Sequence, residues 1–418
     1  MATLTTTPTK ALNDDQPNNL VFALVSLTVL FFMWGFLTSL NDILIPYFKS
    51  EFNLSYTQAM LVQFCFFSAY FLISLPAGKL VKAYGYQRGI VVGLSIAAVG
   101  CFSFLLASNF VSYELFLASL FILASGITIL QVAANPYVTA LGTEKTASGR
   151  LTMTQAFNSL GTTVAPLIGA ALIFTVAEPN NTSITEPQLH AVQLPYLVIA
   201  SLLTLMAVVF HKLRLPQIDS QNVAENNLIE SKPLYKERNL MLGVIAIFLY
   251  VGAEVSLGSF LVNFLSSTQV TNLPEHQVAH LIAYFWGGAM LGRFLGAIVM
   301  QFIKPRRYLA INAILAMLFI FVAMTQQGSV AMYSILAVGL FNGVMFPTIF
   351  SLALEGLKER KGQASGLLCQ AIVGGALLPL LQGVIADTLG IQISFVVPLV
   401  CYLFIFYYGM KSIKHKSL

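Results

Sequence analysis

Phe31-Phe-Met-Trp-Gly-Phe-Leu-Thr-Ser-Leu-Asn-Asp-Ile-Leu-Ile-Pro46 decides the fold: it continues an apolar run that begins near Leu20 and is broken by a single carboxylate, Asp42. About 20 predominantly apolar residues suffice to cross a bilayer as a helix. A carboxylate at that depth is costly and, where it is kept, usually marks function. The rest of the chain repeats the same texture. With 57% hydrophobic and 9% charged residues over 418 positions, too little polar surface remains to solvate the protein in water. The long continuous apolar runs lack the alternation of a transmembrane barrel. An all-α membrane protein is therefore expected.

Counting outward from the first run, spans fall at 20 to 46, 56 to 82, 87 to 108, 112 to 140, 148 to 175 and 191 to 213. A second set follows at 239 to 264, 277 to 302, 306 to 326, 329 to 355, 363 to 386 and 390 to 411. Between them, 214 to 238 is polar enough to read as a linker, with Pro216, Asp219, Glu225, Glu230, Lys232, Lys236 and Arg238. This gives twelve transmembrane helices in two six-helix bundles, 20–213 and 239–418, with 1–19 as a disordered cytoplasmic tail. With both termini in the cytoplasm, twenty of the 22 Lys and Arg residues lie inside, Lys49 alone lies outside and Arg293 sits within a span. That asymmetry matches the positive-inside rule, and an extra or missing helix in either half would destroy it. It also accounts for the net charge of +5 through loops that face anionic lipid, with no nucleic-acid partner.

Several classes are excluded. Cys65, Cys101, Cys369 and Cys401 lie within spans at wide separations and suggest neither a disulfide framework nor a metal site. The segment before Leu20 lacks the basic start and cleavage pattern of a removed signal peptide. No nucleophile-elbow, zinc-protease or nucleotide-binding motif is present, so an enzyme or an ATP-driven pump is not expected. Asn180 and Asn181 each open a glycosylation sequon, which acts only in a glycosylating compartment.

The two halves echo each other. Gln131 precedes Pro136 by five residues as Asn342 precedes Pro347, and each pair is followed by a basic loop and an Ala-Ser-Gly, at Ala147-Ser148-Gly149 and Ala364-Ser365-Gly366. Trp34-Gly35 is answered by Val251-Gly252. A parallel duplication of six helices puts a binding site at mid-membrane between the halves, served by alternating access.

On these residues the chain resembles a sugar transporter of the major facilitator superfamily, in the fucose, galactose and glucose permease family. The resemblance rests on Leu40-Asn-Asp-Ile-Leu-Ile-Pro46, Leu130-Gln-Val-Ala-Ala-Asn-Pro-Tyr137, Thr154-Gln-Ala-Phe-Asn-Ser-Leu-Gly161, Tyr250-Val-Gly-Ala-Glu254 and Phe346-Pro-Thr-Ile-Phe-Ser-Leu352, and within the family it is most similar to the bacterial glucose/galactose transporters. The superfamily's loop signature survives as Gly78-Lys-Leu-Val-Lys-Ala-Tyr-Gly-Tyr-Gln-Arg88, with Lys82 where an aspartate is usual, so the cytoplasmic latch should be weaker or differently built. The resemblance implies import of a hexose, glucose or galactose, with a co-transported cation, by a monomer in the bacterial inner membrane and without a cofactor.

A hexose offers hydroxyls and weakly apolar ring faces, which call for acids, amides and an aromatic plate. In the first span, Trp34, Thr38 and Asn41 or Asp42 share a face; Gln131 and Asn135 share one on the fourth, and Gln155 and Asn158 one on the fifth. Glu254, Trp286 and Asn342 are the candidates from the second half. In the fucose permease, positions resembling Asp42, Gln131, Gln155 and Asn158 line the sugar cavity, and the one matching Gln131 is a glutamate implicated in proton coupling. Gln131 cannot titrate, whereas Glu254 stands where that permease carries an amide. Asp42 and Glu254, with Thr38, are thus the ion-coupling candidates, and loss of the glutamate favours sodium slightly over the proton. Alternatives are a proton-coupled symporter of fucose or N-acetylglucosamine, or a facilitative uniporter. Packing roles stay open for Trp34, Trp286, Gln155 and Asn158, and a sugar-binding or bracing role for Glu254. Asn263 and Gln63 are weak cavity candidates. Arg293, in Gly292-Arg293-Phe294, resembles the second half's loop signature, which implies a gating or helix-end role.

Overall fold

The computed structural model describes residues 16–51, 56–110, 112–176, 190–213, 215–216, 233–272, 278, 281–357 and 360–411, with side chains except at 16–19, 40–63, 166–192 and 194–195. The bulk of the proposed linker, the tail before residue 16, the sequons at Asn180 and Asn181, Gln63, and the side chains of Asn41, Asp42 and Lys49 lie outside the described residues.

The apolar runs fold as helices because a backbone in lipid must bond to itself. They are α1 (Gln16–Glu51), α2 (Tyr56–Tyr84), α3 (Tyr86–Asn109), α4 (Tyr113–Ala140), α5 (Ala147–Val176), α6 (His190–Lys212), α7 (Arg238–Ser266), α8 (Ile282–Val299) and α9 (Pro305–Thr325). The tenth span is split into α10 (Gly328–Asn342) and α11 (Met345–Ala353), the eleventh into α12 (Lys361–Gln370) and α13 (Gly374–Leu389), and the last into α14 (Ile391–Ser394) and α15 (Val396–Met410). Ten of the described stretches are long and apolar enough to cross a membrane, and Tyr196–Lys212 is a shorter apolar helix. With α5, this is the expected all-α fold of twelve membrane helices.

Helices of the first half pack mainly on one another, α3 on α4 and α6, α2 on α4 and α1 on α5; in the second half α9 lies on α15 and α10, and α7 on α13 and α15. Lipid supplies no hydrophobic drive for these contacts, so they depend on close approach of small residues. A Cβ added at Gly35 would lie 2.0 Å from the Asn158 carbonyl oxygen, and one at Gly126 2.3 Å from the Ala97 nitrogen.

The halves meet along two seams. In one, α2 lies on α12: a Cβ at Gly366 would come within 2.7 Å of the Ser74 carbonyl, and Gln370 Nε2 donates to the Phe71 carbonyl at 3.3 Å. In the other, α5 lies on α8 and α11, with Phe157 and Phe294 ring centroids 5.6 Å apart. Toward the basic loops, Ser148 and Ser351 share a hydrogen bond and Lys361 Nζ stands 3.9 Å from Glu144 Oε1. That pair joins the two halves at the end where Lys82 replaces the usual aspartate.

Candidate functional site

The polar side chains kept at mid-membrane are arranged around two proline-marked helices. On α4, Gln131 is 4% exposed and its Oε1 accepts a hydrogen bond of 2.9 Å from the Tyr70 hydroxyl on α2. One turn on, Asn135 is fully buried; its Oδ1 faces Gln155 Nε2 of α5 at 3.5 Å, and its Nδ2 has no partner among the described residues. A buried amide nitrogen without an acceptor costs about 1–3 kcal/mol.

On the tenth span the helix breaks between Asn342 and Met345. Pro347 has no N–H, so the Gly343 carbonyl four residues earlier lacks its helical donor. Arg293 of α8 supplies one, Nε donating at 2.9 Å. The neighbouring Asn342 carbonyl accepts from Tyr250 at 3.1 Å, and its side-chain Oδ1 accepts from Tyr402 at 2.7 Å. Asn342 is thus held by α7 and α15 and ties its own half together, although its Nδ2 lacks a partner. Tyr402→Phe should therefore leave the Asn342 side-chain Oδ1 without its hydrogen bond, at a cost of about 1–3 kcal/mol. A lower melting temperature in detergent, with unchanged sugar specificity, is the expected result.

Glu254 and Arg293 form the second polar group. Glu254 Oε1 stands 3.6 Å from Arg293 Nη2, with the two side chains 17% and 14% exposed. That separation exceeds a hydrogen bond. Oε1 is buried and has no hydrogen-bond partner among the described residues. Arg293 Nη1 also donates across the seam to Ser159 Oγ on α5, whose hydroxyl in turn donates to the Gln155 carbonyl at 3.1 Å. The two polar groups are therefore joined within one helical turn of α5. The helix-end role implied for Arg293 gives way to a place inside α8, six residues before its last residue, Val299.

Other candidates are placed elsewhere. Trp34 is 8% exposed and packs among Leu30, Leu94, Ile127 and Leu203 inside the first half, its ring 5.4 Å from Phe31. Asn158 Nδ2 donates to the Phe31 carbonyl at 2.9 Å, binding α5 to α1. Thr38 donates to the Gly35 carbonyl of its own helix at 3.0 Å. Trp286 is 42% exposed and lies edge-on to Phe285, beside Gly258. Ser256 Oγ, two residues from Glu254 on α7, is buried without a partner among the described residues. Among the described residues no cluster of His, Cys, Asp or Glu is arranged to hold a resident metal.

Tyr70, Tyr250, Tyr402 and Ser159 are the participants that sequence reasoning missed. Tyr250 and Glu254, spaced i and i+4, share a helix face, and that spacing was a usable signal. The partners of Tyr70 and Ser159 lie 61 and 134 residues away.

Comparison with known proteins agrees with the fold. The family profile described as Major Facilitator Superfamily matches residues 27–369. A glucose/galactose transporter of Brucella abortus is 55% identical over 396 residues, 95% of each chain. A putative glucose/galactose transporter of Helicobacter pylori is 44% identical over 410 residues, 96% of this chain and 99% of that one. The L-fucose-proton symporter of Escherichia coli is 31% identical over 414 residues, 94% of each. The crystal structure of FucP in the outward conformation superposes with a TM-score of 0.85 at 29% identity, covering 94% of this chain and 98% of that one. With twelve membrane helices and full-length likeness to these transporters, the chain belongs to the Major Facilitator Superfamily, among the relatives of the glucose/galactose transporters and L-fucose-proton symporters.

Proposed function

We propose that this protein is a secondary active symporter that imports a hexose, glucose or galactose, together with a cation, sodium before the proton. It is a member of a family of transporters and not an enzyme. The observation that carries the reading is the joined polar set Asn135, Gln155, Ser159, Arg293 and Glu254, which spans both halves and contains an unpartnered amide donor and an unbonded carboxylate oxygen. A sugar carries several hydroxyls, each able to donate and to accept, and so has the chemistry to meet groups of both kinds.

The coupling role falls on Asp42. Gln131 cannot titrate, and Glu254 already has a cation beside it in Arg293. Asp42 lies in α1, whose single Lys or Arg is Lys49, seven residues further on, and we assign its charge to the transported cation. The Lys and Arg residues in and flanking the joins of α2 to α3, α4 to α5 and α8 to α9 (Lys79, Lys82, Arg88, Lys145, Arg150, Lys304, Arg306 and Arg307) support a cytoplasmic setting for that end. Its closed contacts then correspond to access from outside.

Uptake of labelled glucose into proteoliposomes, under an imposed sodium gradient or an imposed pH gradient, tests this. Sodium-driven accumulation blocked by galactose is the expected result. Accumulation driven by the pH gradient alone transfers the coupling role to a proton, and preferential block by fucose or N-acetylglucosamine changes the substrate. Absence of accumulation under both gradients, with exchange retained, makes the protein a uniporter. In the same assay Gln155→Ala should raise KM about ten-fold or more, the effect of losing one buried hydrogen bond of about 1.4 kcal/mol to the sugar.

A further inference from the structure

The guanidinium of Arg293 spends each of its three nitrogens on a different helix. Nε donates to the Gly343 carbonyl at the break in the tenth span, Nη2 faces Glu254 on α7 at 3.6 Å, and Nη1 donates to Ser159 on α5 in the other half. Around it the described contacts of the α5–α8 seam include uncharged ones: Phe157 against Phe294 beside it, Thr163 against Met290 on one side and Gly149 beside Ala297 on the other. We infer that Arg293 is a positioning residue that ties the state of Glu254 to closure of the seam between the halves. This deepens the transport reading and rests on it only for the identity of the ligand.

The argument is one of competition. While Glu254 is opposite Arg293, the cation is balanced and its fork is fixed, and the Nη1 bond to Ser159 holds α5 on α8. A polyol that hydrogen-bonds Glu254 draws the carboxylate away from Arg293. The guanidinium then loses the partner that sets its orientation, and the bond across the seam weakens. A ligand shifts such an equilibrium only through different contacts in the two states, and Glu254 supplies that difference. Lysine offers one nitrogen in place of three and cannot span these directions.

The experiment uses the full chain with Gly149→Cys as reporter. A Cβ at Gly149 meets the Ala297 carbonyl oxygen at 3.5 Å, an ordinary contact, so the thiol fits the closed seam. Alkylation by a water-soluble maleimide is followed in detergent, against the parent with glycine at 149. Without sugar, Ser159→Ala should react about ten-fold faster than the reporter parent, the population shift produced by losing about 1.4 kcal/mol. Glu254→Gln and Arg293→Lys should do the same. The Ser159→Ala/Glu254→Gln double variant should react no faster than the faster single one, because both act through Arg293. Rates unchanged in Ser159→Ala, or multiplying to about a hundred-fold in the double variant, overturn the inference. Met290→Cys, at the Thr163 contact, is the second reporter and must give the same order. Glucose should accelerate labelling of the parent and not of Ser159→Ala. If neither glucose, galactose nor fucose changes the parent rate, the substrate reading fails, while the sugar-free comparison still decides the role of Arg293.

Discussion

Replacing Asp42 with asparagine is expected to abolish accumulation of sugar against its gradient while leaving equilibrium exchange measurable. Asparagine keeps the shape and hydrogen-bonding capacity of the side chain and removes its charge. One charge moved down a membrane potential of 100 mV carries about 2.3 kcal/mol, enough to sustain a concentration ratio of about 50. Without a coupled cation that ratio falls to about one. The check is paired: counterflow of labelled glucose, which needs only binding and alternating access, beside net uptake under a sodium gradient. Net accumulation by Asp42→Asn at anything near the wild-type ratio would take the coupling role from this residue. Loss of both activities would make it a sugar ligand or a structural residue instead.

The second large effect concerns stability. Gly292→Val should destabilise the protein by about 3 kcal/mol or more, beyond the usual range for overpacking a core. A Cβ at Gly292 would sit 2.0 Å from the Leu340 carbonyl oxygen, and where α8 crosses α10 and its end a Cβ at Gly339 would lie 2.1 Å from the Phe285 oxygen and one at Gly343 2.2 Å from the Ala289 oxygen. Ordinary contact needs about 3.5 Å, so α8 must retreat by about 1.5 Å. Backbone oxygens cannot rotate aside as a side chain can. The retreat also draws Arg293, the next residue, away from the Gly343 carbonyl. Gly287→Ala on the same helix is the control, because nothing lies within 4 Å of its Cβ position. A large fall in melting temperature for Gly292→Val and little change for Gly287→Ala are expected in detergent. Equal melting temperatures would mean the crossing yields freely.

Particular residues show why parts of the site could be read from the sequence and others could not. Gln131, Asn135, Gln155 and Glu254 stand out because an amide or acid in an apolar helix is conspicuous, and their i to i+4 spacings predict shared faces. Trp34 is as conspicuous, yet it packs inside the first half, and Asn158 is held by a backbone carbonyl of α1. Helical periodicity assigns a face to a residue but does not say whether that face meets the neighbouring helix or the space between the halves. Arg293 shows the same limit. Its sequence context suggested a helix end, while the missing N–H of Pro347, visible in the sequence, required a donor that only helix packing could identify.

The sequence by itself determined that the chain crosses a membrane as a set of twelve helices, and that Asp42 and Glu254 are the acids to explain. Those conclusions follow from local quantities: the length of apolar runs, the distribution of Lys and Arg, and the cost of a charge in lipid. Tertiary structure alone decided which polar groups meet, since the partners of Arg293 come from α5, α7 and the broken tenth span, up to 134 residues away. The physical reason lies in the medium. In lipid each helix satisfies its own backbone, so helix formation is legible one segment at a time. The choice of neighbours is left to close glycine contacts and a few hydrogen bonds, which exist only once the helices have packed.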